Sequence, residues 1–388
     1  MLSFILLSLG LLLLYGAVNI YVTRRLHRWL SALCRVRYWL FCVIYALPAS
    51  SLWLYFVFQF LPEGLGAAIP VWLRSAVIWV GSVWMGIFLY LLLWLLVLDL
   101  ALALLRLCRR FFKKARQRVR FWGTSAVLTA VALLVVWGTA HAASIQTVSY
   151  EITLDKAVEE PLNVVLISDL HLGAAGSERN LEKVVAAVNA LEPDVVCIAG
   201  DLFNDDLNTL YDPARIVTLL QSIRTRYGVY ACLGNHDGVN RFDDMLRLLE
   251  ESNVILLNDE YRIVADRFVI VGRLDGHVIG DFDGLERKEL AEPLVPVTDL
   301  PVIVMDHNPK NLKEYGEGVD LVLSGHTHKG QLFPASLITY LMYDVHYGHY
   351  RADENSPHAV VTSGAGYWGM PMRIGTDCEI VQIAVRGK

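Results

Sequence analysis

Hydrophobic and polar positions divide this chain into two parts. Up to residue 144 the apolar residues run on without alternation. Four stretches reach the ~20 residues needed to cross a bilayer: "MLSFILLSLGLLLLYGAVNIYV", "YWLFCVIYALPASSLWLYFVFQF", Val71 to Leu105, and "GTSAVLTAVALLVVWGTAHAA". The third is longer than one span requires, which leaves room for tilt or projection. The first has the position of a secretory signal, but it lacks a basic leading region and its arginines come after the apolar run. We read residues 1–144 as a membrane region of four transmembrane helices and residues 145–388 as a separate domain.

The pattern changes near Ala143–Thr147. "QTVSYEITLD" alternates as a strand does, and short runs rich in Val and Ile come after it: "NVVLISD", "DVVCIAGD", "VYACLGN", "FVIVGR", "VIVMDHN", "LVLSGH" and "AVVTSG". Among them, "NLEKVVAAVNALEP" and "FDDMLRLLEESN" have helical spacing, the second opening with acids that suit a helix N-terminus. Strands alternating with helices define the α/β class, with sheet strands buried. The Gly- and acid-rich segment 275–300 reads as surface loop.

Charge sharpens the division. Residues 1–144 hold 14 Lys and Arg but only two acids, Glu63 and Asp99, which leaves 20 bases against 37 acids in residues 145–388. Arg24, Arg25, Arg28, Arg35 and Arg37 come after the first span, and a second basic run from Arg106 to Arg120 precedes the fourth. Basic loops stay cytoplasmic, and four spans put both on one side, so the domain is expected outside the cytoplasm. The basic run also has the composition to meet anionic lipid heads, and Asp99 that to pair with a nearby arginine. An acidic domain does not suit nonspecific nucleic-acid binding, which needs a basic surface. The six cysteines contain no CxxC pair, so neither a zinc knuckle nor a redox motif is indicated.

Residues able to carry chemistry sit where the strand runs end. "NVVLIS" leads to Asp169 and His171, "DVVCIAG" to Asp201, "VYACLG" to Asn235, His236 and Asp237, "VIVMD" to His307, and "LVLSG" to His326 and His328. In an open α/β sheet the ligand crevice lies beyond the carboxyl ends of the strands. Five strands thus deliver Asp, Asn and His toward one edge. These hard and borderline donors, without thiolate, suit Mn, Fe or Zn. A carboxylate such as Asp201 can bridge two such ions, and a pair of ions can activate a water for phosphoryl transfer. His277, His346, His349 and His358 have no such placement; His346 and His349 are candidates for substrate contact.

The blocks "SDLHLG", "AGDLFN", "LGNHD", "HNP" and "SGHTHKGQ" resemble the calcineurin-like metallophosphoesterase superfamily, and within it the membrane-associated bacterial branch of YaeI- and YkuE-type phosphoesterases. The likeness runs over about residues 146–386 and excludes the membrane region. It implies a four-layer α/β/β/α sandwich of two mixed sheets flanked by helices. It implies that Asp169, His171 and His328 bind one metal, that Asn235, His307 and His326 bind a second, and that Asp201 bridges them. His236 would then face the scissile phosphate and protonate the leaving oxygen. Asp237 would orient that imidazole or cap a helix. Lys329 stands where this branch often has glycine, and "GRLDGH" at 272–277 where relatives often carry a short acidic stretch.

The expected function is that of a membrane-anchored phosphoesterase with two divalent metal ions (Mn, Fe or Zn). It would hydrolyse a phosphodiester, pyrophosphate or phosphomonoester bond of an envelope or lipid-linked substrate by attack of metal-held hydroxide. The alternative is a non-catalytic membrane sensor or scaffold that keeps the metal-binding fold. The expected partners are the lipid bilayer and a phosphorylated small-molecule or lipid substrate, with no nucleic acid; oligomeric state is left open. The expected location is the bacterial inner membrane, multi-pass.

Overall fold

A computed structural model describes residues 2–59, 69–107, 113–173, 177–204, 207–238, 242–279, 282–290 and 294–388. Glu63, Arg109 and Arg110 lie outside the described residues, as do 280–281 and 291–293 of the 275–300 segment. The chain forms two compact units: Met1–Gly66 with Ala76–Trp137, and Ala67–Ser75 with Gly138–Lys388.

Each of the four apolar stretches is helical: α1 (Leu2–Leu30), α2 (Tyr38–Gln59), α3 (Val71–Leu107) and α4 (Lys113–Ala142). Among the described residues, two segments are long and apolar enough to cross a membrane, Val71–Leu105 and Gln117–Ala142; the apolar stretch Tyr38–Leu54 of α2 is shorter. Only 22% and 17% of the most apolar windows of those two segments is buried by protein. Side chains such as Leu100, Leu133 and Val136 face outward, as expected of helices whose solvent is hydrocarbon. Asp99 pairs with Arg25 at 3.2 Å and accepts from the Tyr21 hydroxyl at 2.9 Å. This joins α1 to α3.

The second unit is built from two six-stranded sheets. One has the order β1 (Ile145–Leu154), β12 (Cys378–Gly387), β2 (Leu162–Ile167), β3 (Val195–Ala199), β4 (Val229–Cys232), β5 (Val254–Leu256). The other has the order β10 (Gly348–Tyr350), β11 (His358–Val361), β9 (Leu321–Ser324), β8 (Val302–Met305), β7 (Phe268–Gly272), β6 (Glu260–Val264). β2 to β5 run parallel, as do β7, β8, β9 and β11.

Period-two alternation decides which layer each side chain enters. Val164 and Leu166 of β2 and Cys197 of β3 turn into a core shared with Ile303, Met305, Leu321 and Leu323 of the other sheet. Val165, Ile167, Val196 and Ile198 turn the other way, onto α5 (Ser177–Ala190), α6 (Pro213–Gln221) and α7 (Phe242–Glu251). Both faces of these strands are therefore buried, which is why they read as continuous apolar runs. On the second sheet the outer face packs Val269, Val271, Val302 and Val304 against Tyr315, Val319 and a 3-10 helix over Pro309–Glu314.

Every strand run read from the sequence lies on a strand. β5, β6, β10 and β12, with helices α6 and α8 (Ala335–Met342), were not anticipated. The described part of 275–300 holds no helix or strand, but it is not all surface, since Phe282 and Leu294 are buried.

Candidate metal centre

Because the parallel strands share one polarity, their carboxyl ends share one edge. Asp169 comes after β2, Asp201 after β3, and Asn235 and His236 after β4. His307 comes after β8, and His326 and His328 after β9. Three strands of one sheet and two of the other thus meet at the site.

The turns after these strands are unusually tight. Asp169, His171, Asp201, His326 and His328 all have φ between 45° and 70°. That region is uncommon for residues with a Cβ. Its concentration at one place is the kind of local strain found at functional sites. Glycine is needed where the loops cross. A Cβ on Gly234 would fall on Asp201 Oδ1, and one on Gly325 on Ser168 Oγ and Asp169 Oδ2.

Two donor sets result. In the first, His171 Nε2 faces His328 Nε2 at 3.1 Å, and His328 Nε2 lies 3.3 Å from Asp169 Oδ1. In the second, Asn235 Oδ1 lies 2.7 Å from His326 Nδ1 and 3.1 Å from His307 Nε2, and the two ring nitrogens are 3.2 Å apart. Asp201 Oδ2 stands between the sets, 3.6 Å from His171 Nε2 and 3.1 Å from His307 Nε2. The structure thus brings together all seven sequence-predicted ligand residues.

The surroundings orient these groups. His307 Nδ1 donates to the Ala199 carbonyl at 2.8 Å, which turns Nε2 toward Asp201 and Asn235. Asp201 Oδ1 accepts the His236 backbone N–H at 2.8 Å, and Asp169 accepts that of His326 at 3.1 Å. His236 lies at the rim of the site. Its ring is 5.1 Å from that of His171 and 5.6 Å from that of Trp368.

Burial sets the protonation pattern. It pushes His171 and His326 down to about 3 and His328 well below its ordinary value, so these imidazoles are neutral. Burial raises the Asp169 carboxyl, with the negative Asp201 adding to the effect. Burial would lower His307 too, but the Asp201 carboxylate beside it holds it well above its ordinary value. Burial raises Asp237 to about 7, again with Asp201 contributing. The site thus gathers three buried carboxyl groups, of Asp169, Asp201 and Asp237, beside facing ring nitrogens. Neutral imidazoles, carboxylates and an amide oxygen converging in this way fit divalent cations of borderline hardness. Asp169, His171 and His328, and likewise Asp169, Asp201 and His307, each bring one ligand atom within 4.8 Å of the others.

Some partners differ from the sequence expectation. Asp237 links two loops. Its two oxygens accept the N–H groups of Phe203 and Gly234, at 2.9 and 2.8 Å, and so tie the loops after β3 and β4 together. Lys329 has φ 51°, a region glycine occupies freely, and its ammonium lies 3.8 Å from the centre of the Tyr347 ring. His349 pairs with His358 at 2.9 Å, and the His346 carbonyl accepts from Thr327 Oγ1 of the site loop.

Arg373 and Trp368, outside the motif blocks, support the site together with Gln331, the last residue of "SGHTHKGQ". Arg373, fully buried, donates to the carbonyls of His328, Ser363 and Gly366. Gln331 binds the backbone of Trp368 and Met370, and so sets Trp368 beside His236. A lone Arg in "MPMRIG" and a lone Trp in "GYWGM" carry no local signal of these roles.

Within residues 162–330 the fold and the site are those of a metallophosphoesterase domain. Residues 162–330 match the model of the calcineurin-like phosphoesterases, and the chain carries a calcineurin-like metallophosphoesterase domain. It is 33% identical over 283 residues to a transmembrane protein with metallophosphoesterase domain from Danio rerio, covering 69% of this chain and 63% of the relative. An uncharacterized metallophosphoesterase of Campylobacter jejuni is 32% identical over 237 residues, covering 60% of this chain and 61% of that one. One from Aquifex aeolicus is 27% identical over 236 residues, 58% of this chain and 86% of that one. The chain thus spans less than two thirds of the length of the first two relatives.

Proposed function

We propose that this domain hydrolyses a phosphoester bond of a lipid-borne substrate at the metal centre. The observation that carries this reading is the convergence of seven donor side chains from five strand ends, with Asp201 Oδ2 between the two sets. Two divalent cations there would acidify a water and neutralise charge on the phosphate oxygens. The protein's own residues position the substrate and move the proton. The Asp201 bond to the His236 backbone fixes the turn that holds the imidazole at the rim. From there His236 protonates the leaving oxygen. The half-exposed Trp368 ring forms a wall beside it and limits water.

The lipid-borne class is supported by α8. This helix comes directly after the His326–His328 loop, and none of its residues is buried. Leu337, Ile338, Leu341 and Met342 are exposed, Leu341 by 82%, and Phe333 just before it is exposed as well. A contiguous apolar surface of this kind marks a binding face, and the ring of Tyr343 at the helix end lies edge-on to that of His326, with centroids 5.9 Å apart. Acyl chains are the partner that fits, since the same chain carries helices long enough for a bilayer.

The test compares a soluble chromogenic diester with a phospholipid in mixed micelles, using the full chain with Mn, Zn or Fe. The Leu337→Ser, Leu341→Ser double variant keeps its rate on the soluble ester. On the lipid it loses about tenfold or more in kcat/KM, because each leucine contributes up to ~2 kcal/mol of apolar contact. Equal behaviour on both substrates removes the lipid assignment. No turnover of either substrate by the unaltered protein removes the hydrolase reading and favours a sensor or scaffold.

We also propose that the helices anchor the chain in a bacterial inner membrane, with the domain outside the cytoplasm. The two basic runs and the helix lengths support this. A reporter fused after Lys388 is then active only outside; activity confined to the cytoplasm contradicts the orientation.

A further inference from the structure

The membrane unit holds a charged cavity separate in chemistry from the metal centre. α1 and α4 are joined where Trp29 Nε1 donates to Ser125 Oγ at 2.8 Å and the Trp29 ring stacks on Phe121, with centroids 6.4 Å apart. Around this joint lies a cavity of about 650 Å³ lined by Arg25, Arg28, Arg118 and Arg120, with Trp29 and Trp122 among its walls. Four guanidinium groups on one cavity repel one another unless an anion separates them.

The chain is short of such anions. Residues 1–144 contain two acids, Glu63 and Asp99. Asp99 already pairs with Arg25. Even with both acids spent on this cavity, two of its four positive charges would remain. Arg25 is 9% exposed, and its Nε is buried without a hydrogen-bond partner. A ligand that brings negative charge would relieve the repulsion among these guanidinium groups.

We infer that this cavity binds the phosphate of an anionic phospholipid headgroup. The guanidinium fork matches phosphate oxygens in a bidentate way. Tryptophan at the cavity wall suits the level where headgroups meet hydrocarbon, and basic pockets between membrane helices are where acidic headgroups bind. The outward apolar side chains of α4, Leu133 and Val136 among them, offer acyl chains a surface that a free phosphate would not use. The site is independent of the metal centre, and its fate does not depend on the hydrolase reading.

The experiment is native mass spectrometry of the delipidated full chain in detergent, titrated with phosphatidylglycerol, phosphatidylcholine or inorganic phosphate. Phosphatidylglycerol binds about tenfold or more tighter than phosphatidylcholine. The Arg28→Gln, Arg118→Gln double variant binds phosphatidylglycerol roughly 30-fold more weakly, at ~1 kcal/mol per basic residue, and so loses the preference. The Arg28→Lys, Arg118→Lys pair keeps charge and helix propensity but lacks the fork, and it shows a smaller loss. Millimolar inorganic phosphate does not displace the lipid. Equal binding of the two lipids, full affinity in the glutamine variant, or displacement by phosphate alone overturns the assignment. If the glutamine variant fails to fold, the lysine pair decides: affinity equal to the unaltered chain overturns phosphate recognition by the fork.

Discussion

Replacing Asp201 with asparagine lowers turnover by at least about a thousandfold, the equivalent of several kcal/mol of lost charge stabilisation. The substitution keeps the shape and an oxygen able to accept the His236 N–H, but it removes the negative charge between the two donor sets. Bound metal falls with activity, because His307 and His171 lose the carboxylate they share. Asp201→Ala goes further. It also frees the turn that carries His236, so its residual rate lies below that of the asparagine variant. Elemental analysis alongside steady-state kinetics checks both. An Asp201→Asn protein with full metal content and full activity would show that this carboxylate is not a ligand.

His236→Ala has the opposite signature. Metal content stays at the level of the unaltered protein, because His236 is not one of the seven donor residues and its backbone N–H to Asp201 is kept. kcat falls by about 10²–10⁴ on an ester with a poor leaving group, the range expected when a positioned proton donor is removed. On an ester with a good leaving group, such as a nitrophenyl ester, the loss is much smaller. Full turnover of an unactivated ester by His236→Ala would remove the imidazole from proton transfer. The two variants separate holding the metals from using them.

The site was legible in the sequence because its residues are local to strand ends. A strand buried on both faces must be apolar throughout, so the point where Ile167, Ala199, Cys232, Met305 and Ser324 give way to Asp, Asn and His is visible without a structure. The close crossing of the loops explains two of the glycines around these residues, since Gly234 and Gly325 sit where a Cβ would collide with Asp201 and Asp169.

The parts that were not legible depend on distant partners. β12 lies between β1 and β2, parallel to one and antiparallel to the other, though it comes more than two hundred residues after β1. Nothing beside Asp237 in the sequence announces that its oxygens accept from Phe203 and Gly234. Arg373 braces the His328 loop from forty-five residues away. Nothing in "ASLITYLM" distinguishes a core helix from one that leaves its apolar residues in the open, and only the packing around α8 decides that.

Anomalous diffraction from crystals of the metal-loaded full chain, collected at the absorption edge of the bound metal, is the most direct measurement. Two peaks about 3.5–4 Å apart, both within coordination distance of Asp201, are the predicted result. A single peak, or a pair of peaks away from Asp201, would contradict the dinuclear centre.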